Sequence, residues 1–178
     1  ARSTSMKAAK SELELRREFD AISTRLRPDL YRYAFWLGRD RQLAEDVVQE
    51  ALLRGWKAFG KLEDTNAVKP WLVSIVRREF ARTFERKRLD TVDIADYEEQ
   101  LTGTERDPRV GELRRAIFEL DGDYREPLAL QVLMGHTTRE IAELTGLTEG
   151  AVLTRLHRAR ARLKKLLGLT AAEDGNGS

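Results

Sequence analysis

Apolar residues recur at helical spacing through the first half of the chain. Between positions 41 and 59, every third or fourth residue along one face is apolar: Ala44, Val48, Leu52, Trp56 and Phe59. A helix over about 66–88 likewise turns one face inward, made of Val68, Leu72, Ile75 and Val76. Residues 11–37 predict one or two further helices, with Pro28 near the start of the second. Residues 11–88 therefore predict a small helical domain.

The second half repeats this pattern in shorter pieces. Helices are predicted over 110–120, 125–134, 138–145 and 149–167, and glycines at 122, 135 and 146 separate them. Strand-like alternation and Gly-rich phosphate loops are absent from the sequence. Segment 89–109 has no sustained period and is acidic, which is typical of a linker. The predicted fold class is all-α, with two small helical domains joined by a flexible acidic linker.

The resulting organisation has five parts. An N-terminal tail (1–10) includes ARSTS before Met6, which we expect to be a cloning remnant. The first domain occupies 11–88, the linker 89–109 and the second domain 110–168. A C-terminal tail follows at 169–178.

Composition excludes several classes of protein. The chain has 178 residues, 35% of them charged and 7% aromatic, which favours small helical units with much solvated surface. Because cysteine is absent, disulfides and thiolate metal sites are excluded, and a cytoplasmic location is expected. No apolar run approaches membrane-spanning length, so no membrane insertion of its own is expected. Neither a cofactor nor a metal site is indicated.

Charge is distributed unevenly along the chain. The net charge is only +2, yet segments 77–88 and 155–165 each hold six lysines and arginines. Between them, residues 90–107 carry seven acids. Two basic surfaces separated by an acidic segment are compatible with a nucleic-acid partner.

The last basic segment lies in a pattern typical of a helix-turn-helix. Thr137 and Glu140 can form a capping box, Gly146 suits a left-handed turn, and Thr148 can cap a second helix. The outer face of that helix presents Thr154, Arg155, Arg158 and Arg162. Such a helix could enter a major groove. The alternative is a basic, solvated helix within a bundle.

The runs RQLAEDVVQEALLRGWKAF and AVKPWLVSIVRREFARTFERKR, followed by the helix-turn-helix, resemble the extracytoplasmic-function (ECF) sigma factors of the sigma-70 family. The resemblance covers about 20–168 in order and spacing. It implies sigma region 2 in the first domain and sigma region 4 in the second. It also implies a protein that binds core RNA polymerase and promoter DNA, directs transcription initiation in stress responses, and is restrained by an anti-sigma factor.

The resemblance also assigns residues to three surfaces. The polymerase-binding residues are Asp46, Gln49 and Glu50. Those for the -10 element are Trp71, Arg77, Arg78, Arg82, Arg86 and Lys87. Those for the -35 element are Thr148, Thr154, Arg155, Arg158 and Arg162. Two positions depart from the family, since relatives often carry Asn at Arg78 and a basic residue at Leu153. For Trp71 a place in the core is an alternative, and for Arg162 a solvated position.

Three functional classes remain to be compared. The first is a promoter-specificity subunit without catalytic activity. The second is a sigma-like decoy that titrates an anti-sigma factor without binding DNA. An enzyme such as a nuclease is the third, but the two histidines, His136 and His157, lie in different helical contexts without an HExxH motif. Two small tethered domains are also expected to bury little surface against each other, so that a partner could clamp them closed.

Overall fold

The structure is a computed structural model that describes residues 10–89 and 107–169. In these ranges the chain forms seven α-helices, one short 3-10 turn at Thr65–Ala67 and no strand. The helices are α1 (Glu12–Gly38), α2 (Arg41–Phe59), α3 (Val68–Leu89), α4 (Pro108–Glu119), α5 (Gly122–Val132), α6 (Thr138–Thr145) and α7 (Glu149–Leu166). The predicted all-α class is confirmed.

The first helix is continuous, whereas Pro28 was expected to open a second one. It begins at a capping box formed by Ser11 and Glu14 and runs through Pro28 to Gly38. Leu26 and Leu30, on either side of the proline, are both buried in the same core. Packing on both sides of the proline therefore holds the helix together despite the missing backbone hydrogen bond.

Helices α1, α2 and α3 form the first domain around a shared apolar core. The residues predicted to face inward are buried, except Trp56, which is half-buried. Gly55 allows α2 to pass close to its neighbours, because a Cβ there would lie 2.9 Å from a methyl of Leu72 and 3.3 Å from the ring of Phe19. This close packing fixes the faces that α2 and α3 present to solvent.

Helices α4 to α7 form the second domain, with α7 packed against α4, α5 and α6. Asp107 caps α4, and Pro108 occupies its first turn, where a missing N–H costs nothing. The last residues of the predicted linker are therefore the start of a helix. The remainder of that linker, 90–106, lies outside the described residues.

The two domains pack against each other, and the expectation that they bury little mutual surface is wrong. Helix α1 lies along α5, and the buried residues of both domains form one continuous cluster. At the end of α1, the ring of Phe35 meets the buried ring of Phe118 edge-on, with 5.3 Å between centroids. Burial of aromatic and aliphatic surface at this junction favours association of the two domains without a partner. We call this packing the closed arrangement.

Two arginines complete the junction by binding helix C-terminal carbonyls. Arg125, only 7% exposed, donates to the carbonyls of Phe118 and Leu120 at 3.2 and 2.8 Å, and to that of Leu37 at 3.3 Å. Arg39 reaches the other way and donates to the Phe118 carbonyl at 2.8 Å. Burial, and then the charge of Arg39, lowers the pKa of Arg125 to about 10, so it stays protonated at neutral pH. These two cations lie beside the C-terminal ends of α1 and α4, where the helix dipole is negative and a positive charge is stabilising.

Candidate polymerase and nucleic-acid interfaces

The predicted polymerase-binding residues lie together on α2, away from its buried stripe. Asp46 and Gln49 are exposed, and Glu50 is half-buried. The Asp46 carboxylate accepts a hydrogen bond from Gln42 at 2.9 Å. These side chains form a polar face of carboxylate and amide oxygens that a basic partner could contact.

Glu50 also belongs to an ion-pair network that reaches α3. Arg54 pairs with Glu50 at 3.0 Å and with Glu79 at 2.7 Å, and Glu79 pairs with Arg82 at 3.0 Å. Glu79 is 5% exposed, so two arginines compensate a buried carboxylate. The network connects the predicted polymerase face to the predicted -10 face. Sequence reasoning missed Arg54 and the role of Glu79, although an acid within a basic run was a usable signal.

The basic face of α3 carries most of its predicted residues in accessible positions. Arg78, Arg82 and Arg86 are exposed, and Arg78 donates to the Ser74 carbonyl at 3.3 Å. Trp71 is half-buried and packs against the core. The side chain of Lys87 lies outside the described part of the chain. The exposed guanidinium groups form a surface suited to phosphates.

Arg77 is placed differently from the other arginines of α3. Its Nε lies 2.6 Å from Oε1 of Glu126 on α5, in the other domain. The Tyr33 hydroxyl donates to the same oxygen at 3.1 Å. Burial, followed by the charge of Glu126, raises the pKa of Tyr33 well above its usual value. Burial is the largest single influence on the pKa of Arg77 and lowers it, but the hydrogen bond to Glu126 and the negative charge of Glu126 together raise that pKa above its usual value.

This pairing separates Arg77 from the surface that it was predicted to join. In the closed arrangement the Nε of its guanidinium group is engaged with Glu126, so the side chain is drawn toward the second domain. No local pattern predicts this pairing, because the partners are 49 positions apart.

The helix-turn-helix has the predicted local geometry. Thr137 and Glu140 form a reciprocal capping box, with bonds of 3.2 and 2.7 Å, and the backbone bond from Thr137 lowers the pKa of Glu140. Gly146 ends α6 with φ of 74°, in the left-handed region. Thr148 caps α7 by accepting from the Ala151 amide at 3.1 Å. Each of these three caps was predicted from residue type and spacing.

Helix α7 brings its predicted residues to one side of the domain, but two of them already have partners. Arg155 lies 3.5 Å from Asp123, and Arg162 lies 2.8 Å from Asp121 and stacks over the Tyr124 ring at 4.9 Å. Thr154 and Arg158 are exposed, while Thr148 serves as the cap. Sequence reasoning missed both aspartates, which precede or begin α5.

Within 10–89 and 107–169, no group of three or more histidine, aspartate or glutamate side chains is arranged to hold a metal ion. None of the helices in the same ranges has the length and apolarity needed to cross a membrane.

Comparison with known protein families gives two matches in the order of the two domains. The family described as Sigma-70 region 2 matches residues 22–89, and that described as Sigma-70, region 4 matches residues 111–163. Together these matches cover well over half of the chain. The chain therefore belongs to the sigma-70 family, and its relatives place it in the ECF group.

Two curated relatives illustrate this placement. The chain is 30% identical over 151 residues to the ECF RNA polymerase sigma factor EcfG of Rhodopseudomonas palustris (strain TIE-1), covering 83% of each chain. It is 30% identical over 145 residues to the ECF RNA polymerase sigma factor SigM of Bacillus subtilis (strain 168), covering 78% of this chain and 88% of that one.

Solved structures show the same fold. The sigma factor RpoE of Bartonella quintana, in complex with the anti-sigma factor NepR, has a TM-score of 0.70 at 25% identity, covering 86% of this chain and 99% of that one. CnrH, in complex with the cytosolic domain of CnrY, has a TM-score of 0.63 at 25% identity, covering 88% and 91%. The similarity thus extends across both domains.

Proposed function

We propose that this chain works as an ECF-type sigma factor, binding core RNA polymerase and directing transcription from specific promoters. The observation that carries the proposal is the succession of a region 2 and a region 4 domain, each with a basic helix on its surface. Neither catalysis nor a cofactor has a part in it, because the site consists of charged and polar surface for binding. A cytoplasmic location belongs to the same proposal.

The polymerase-binding part of the proposal rests on the polar face of α2. Asp46 and Gln49 are exposed beside each other in helical register, and Glu50 extends the face toward Arg54. Burying such groups against a basic partner would give specificity and a fast encounter.

The promoter-binding part divides between two helices. Arg78, Arg82 and Arg86 on α3 would follow the phosphates of the opened -10 strand, with Trp71 as an adjacent aromatic and Arg77 joining them once the domains separate. Helix α7 would enter the major groove of the -35 element. There Thr154, Arg155 and Arg158 would face the bases and nearby phosphates, and Arg162 would bind the backbone.

Restraint by an anti-sigma factor is included in the proposal, since a similar chain was solved with such a partner. The closed arrangement leaves a groove of about 650 Å³ where α1 and α4 meet. Apolar side chains line part of it, including Val110 and Leu113, which are 46% and 42% exposed. We propose this groove as the seat of an apolar helix from the restraining partner.

The alternative is a decoy that binds an anti-sigma factor without reaching DNA. The exposed arginines of α3 and α7 favour the promoter-binding function, because a decoy has no need of basic surfaces in both domains. Leu153 and Arg78 are the two positions that depart from the family at the DNA-facing helices.

In vitro transcription with core polymerase on genomic fragments tests the proposal. We expect transcripts with discrete starts only when the chain is added. The triple variant Asp46→Ala, Gln49→Ala, Glu50→Ala should remain helical but lose most of this activity and its association with core polymerase. A matched control, Glu12→Ala with Asp20→Ala on the exposed side of α1, should behave as the parent. Association without any transcription on the fragments would favour the decoy.

A further inference from the structure

A small apolar surface lies on the side of α7 that faces away from the core. Val152, Leu156 and Ala159 are buried, and the opposite side carries Leu153, which is 57% exposed. Gly150, Thr154 and His157 share this side with Leu153, at helical spacings of three, four and seven residues from one another. This side belongs to the first three turns of α7, the part of such a helix that reaches deepest into a groove.

Gly150 has no structural reason to be a glycine within the described part of the chain. Its φ is not positive, and a Cβ built on it would meet nothing within 4 Å. Gly150 lies in the first turn of α7, and a glycine in a helix is less favourable than alanine, by about 0.5–1 kcal/mol at interior positions. Its presence on the outer side of α7 is explained if another surface must approach the helix backbone closely at this point.

The part of this surface formed by Gly150 and Leu153 offers no side-chain hydrogen-bond donor. The Thr154 hydroxyl donates its proton to the Gly150 carbonyl at 3.0 Å, and Leu153 and Gly150 have no polar side-chain atoms. Most features of a base pair in the major groove are hydrogen-bond donors or acceptors. The C5-methyl group of thymine is the feature that an apolar side chain recognises.

We propose that Leu153 and Gly150 form a thymine-reading surface in the -35 element. Leu153 packs against the C5-methyl group of one thymine, and the missing side chain at Gly150 lets the DNA come close enough for that contact. The inference rests on the proposed function, since it assigns a base preference to the same helix. Arg155 and Arg158, which lie on another side of α7, keep their roles toward phosphates and guanine.

The test uses the holoenzyme, assembled from core polymerase and the full chain, on a -35 element that it transcribes. Each thymine of that element is replaced singly by deoxyuridine, which keeps the hydrogen bonds and removes only the methyl group. We expect one of these replacements to weaken promoter binding about fourfold, corresponding to about 0.8 kcal/mol for one buried methyl-sized group. In Leu153→Ala, the parent and deoxyuridine promoters should bind equally.

Two further variants sharpen the test. Gly150→Ala should weaken promoter binding although alanine favours the helix, so the melting temperature of the free chain should stay equal or rise. Leu166→Ala removes another exposed leucine of α7, 46% exposed and beyond the groove-facing turns, and should retain the full deoxyuridine effect.

The results separate this inference from the proposed function. Transcription without any effect of deoxyuridine, or the same effect in Leu153→Ala as in the parent, overturns the thymine contact and leaves the sigma function intact. A chain that supports no transcription on any fragment overturns the function itself.

Discussion

Arg77 of α3 and the paired arginines of α7 differ in where their acidic partners lie. On α7, Arg155 and Arg162 pair with Asp123 and Asp121, which belong to the same domain and keep side-chain exposures of 78% and 69%. On α3, Arg77 pairs with Glu126 of the other domain, whose side chain is 21% exposed and also receives the Tyr33 hydroxyl. The pairs of α7 are local and exposed to solvent, whereas the Arg77–Glu126 pair connects the two domains.

This difference determines what each helix needs before it can bind DNA. Exposed ion pairs are worth about 0–1 kcal/mol, so a phosphate can displace Asp121 or Asp123 by side-chain rotation alone. Moving α5 away from α1 and α3 would free Arg77 and would also separate Phe35 from Phe118. We therefore expect the -35 helix to be able to bind DNA in the closed arrangement. The basic face of the -10 helix should gain Arg77 only when the two domains separate.

The largest effect is expected at Arg125, which holds carbonyls of both domains. Arg125→Ala leaves the buried carbonyls of Leu37 and Leu120 without this donor and should destabilise the chain by about 3 kcal/mol. Chemical denaturation measures the change. Arg125→Lys keeps the charge but lacks the planar fork, so it should recover only part of the loss. Full recovery by lysine would mean that charge alone stabilises the junction.

An intermediate effect is expected at Glu126. Glu126→Gln keeps the shape and removes the charge that Arg77 and Tyr33 share, which should weaken the closed arrangement by about 1–2 kcal/mol. Affinity for single-stranded -10 DNA, measured with the free chain at fixed salt, should then rise about tenfold. Combined with Arg77→Ala, the substitution should bring no further gain. If Glu126→Gln raised the affinity for -10 DNA equally in the Arg77→Ala variant, the effect would not come from the Arg77–Glu126 pair.

The smallest effect is expected at Asp123, whose pair with Arg155 lies within one domain. Asp123→Asn removes one exposed partner at 3.5 Å and should change stability by less than about 0.5 kcal/mol. Affinity for -35 duplex DNA should rise slightly, and the separation of the two domains should not change. If Asp123→Asn separated the two domains as much as Glu126→Gln does by weakening the closed arrangement, the distinction between local and interdomain pairs would be contradicted.

Periodicity and cap chemistry predicted most of the fold, because both depend on residues close in the chain. The inward positions of α2 and α3, the capping box at Thr137 and the left-handed Gly146 follow from spacing alone. The prediction of one or two helices over 11–37 stayed open, because the effect of Pro28 depends on the core contacts on either side of it.

The closed arrangement could not be predicted from the same signals. It depends on Arg125 reaching backbone carbonyls and on Glu126 meeting a residue 49 positions earlier, and neither contact has a local pattern. The candidate DNA-binding residues lie on the helices predicted for them, since helix faces follow from periodicity. Their ion-pair partners depend on how helices pack, which is a tertiary property.

The distance between the two domains in the free chain and in the promoter complex tests the central claim most directly. Because the sequence contains no cysteine, single cysteines at the exposed positions Lys61 and Lys165 can carry a pair of fluorescent labels without other changes. For the free chain we expect one narrow population of high energy-transfer efficiency, the closed arrangement. Core polymerase and promoter DNA should replace it with a population of low efficiency, because promoter elements about 20 base pairs apart are separated by about 70 Å at roughly 3.4 Å per pair. A free chain that already shows the broad, low-efficiency distribution of the promoter complex would contradict the account.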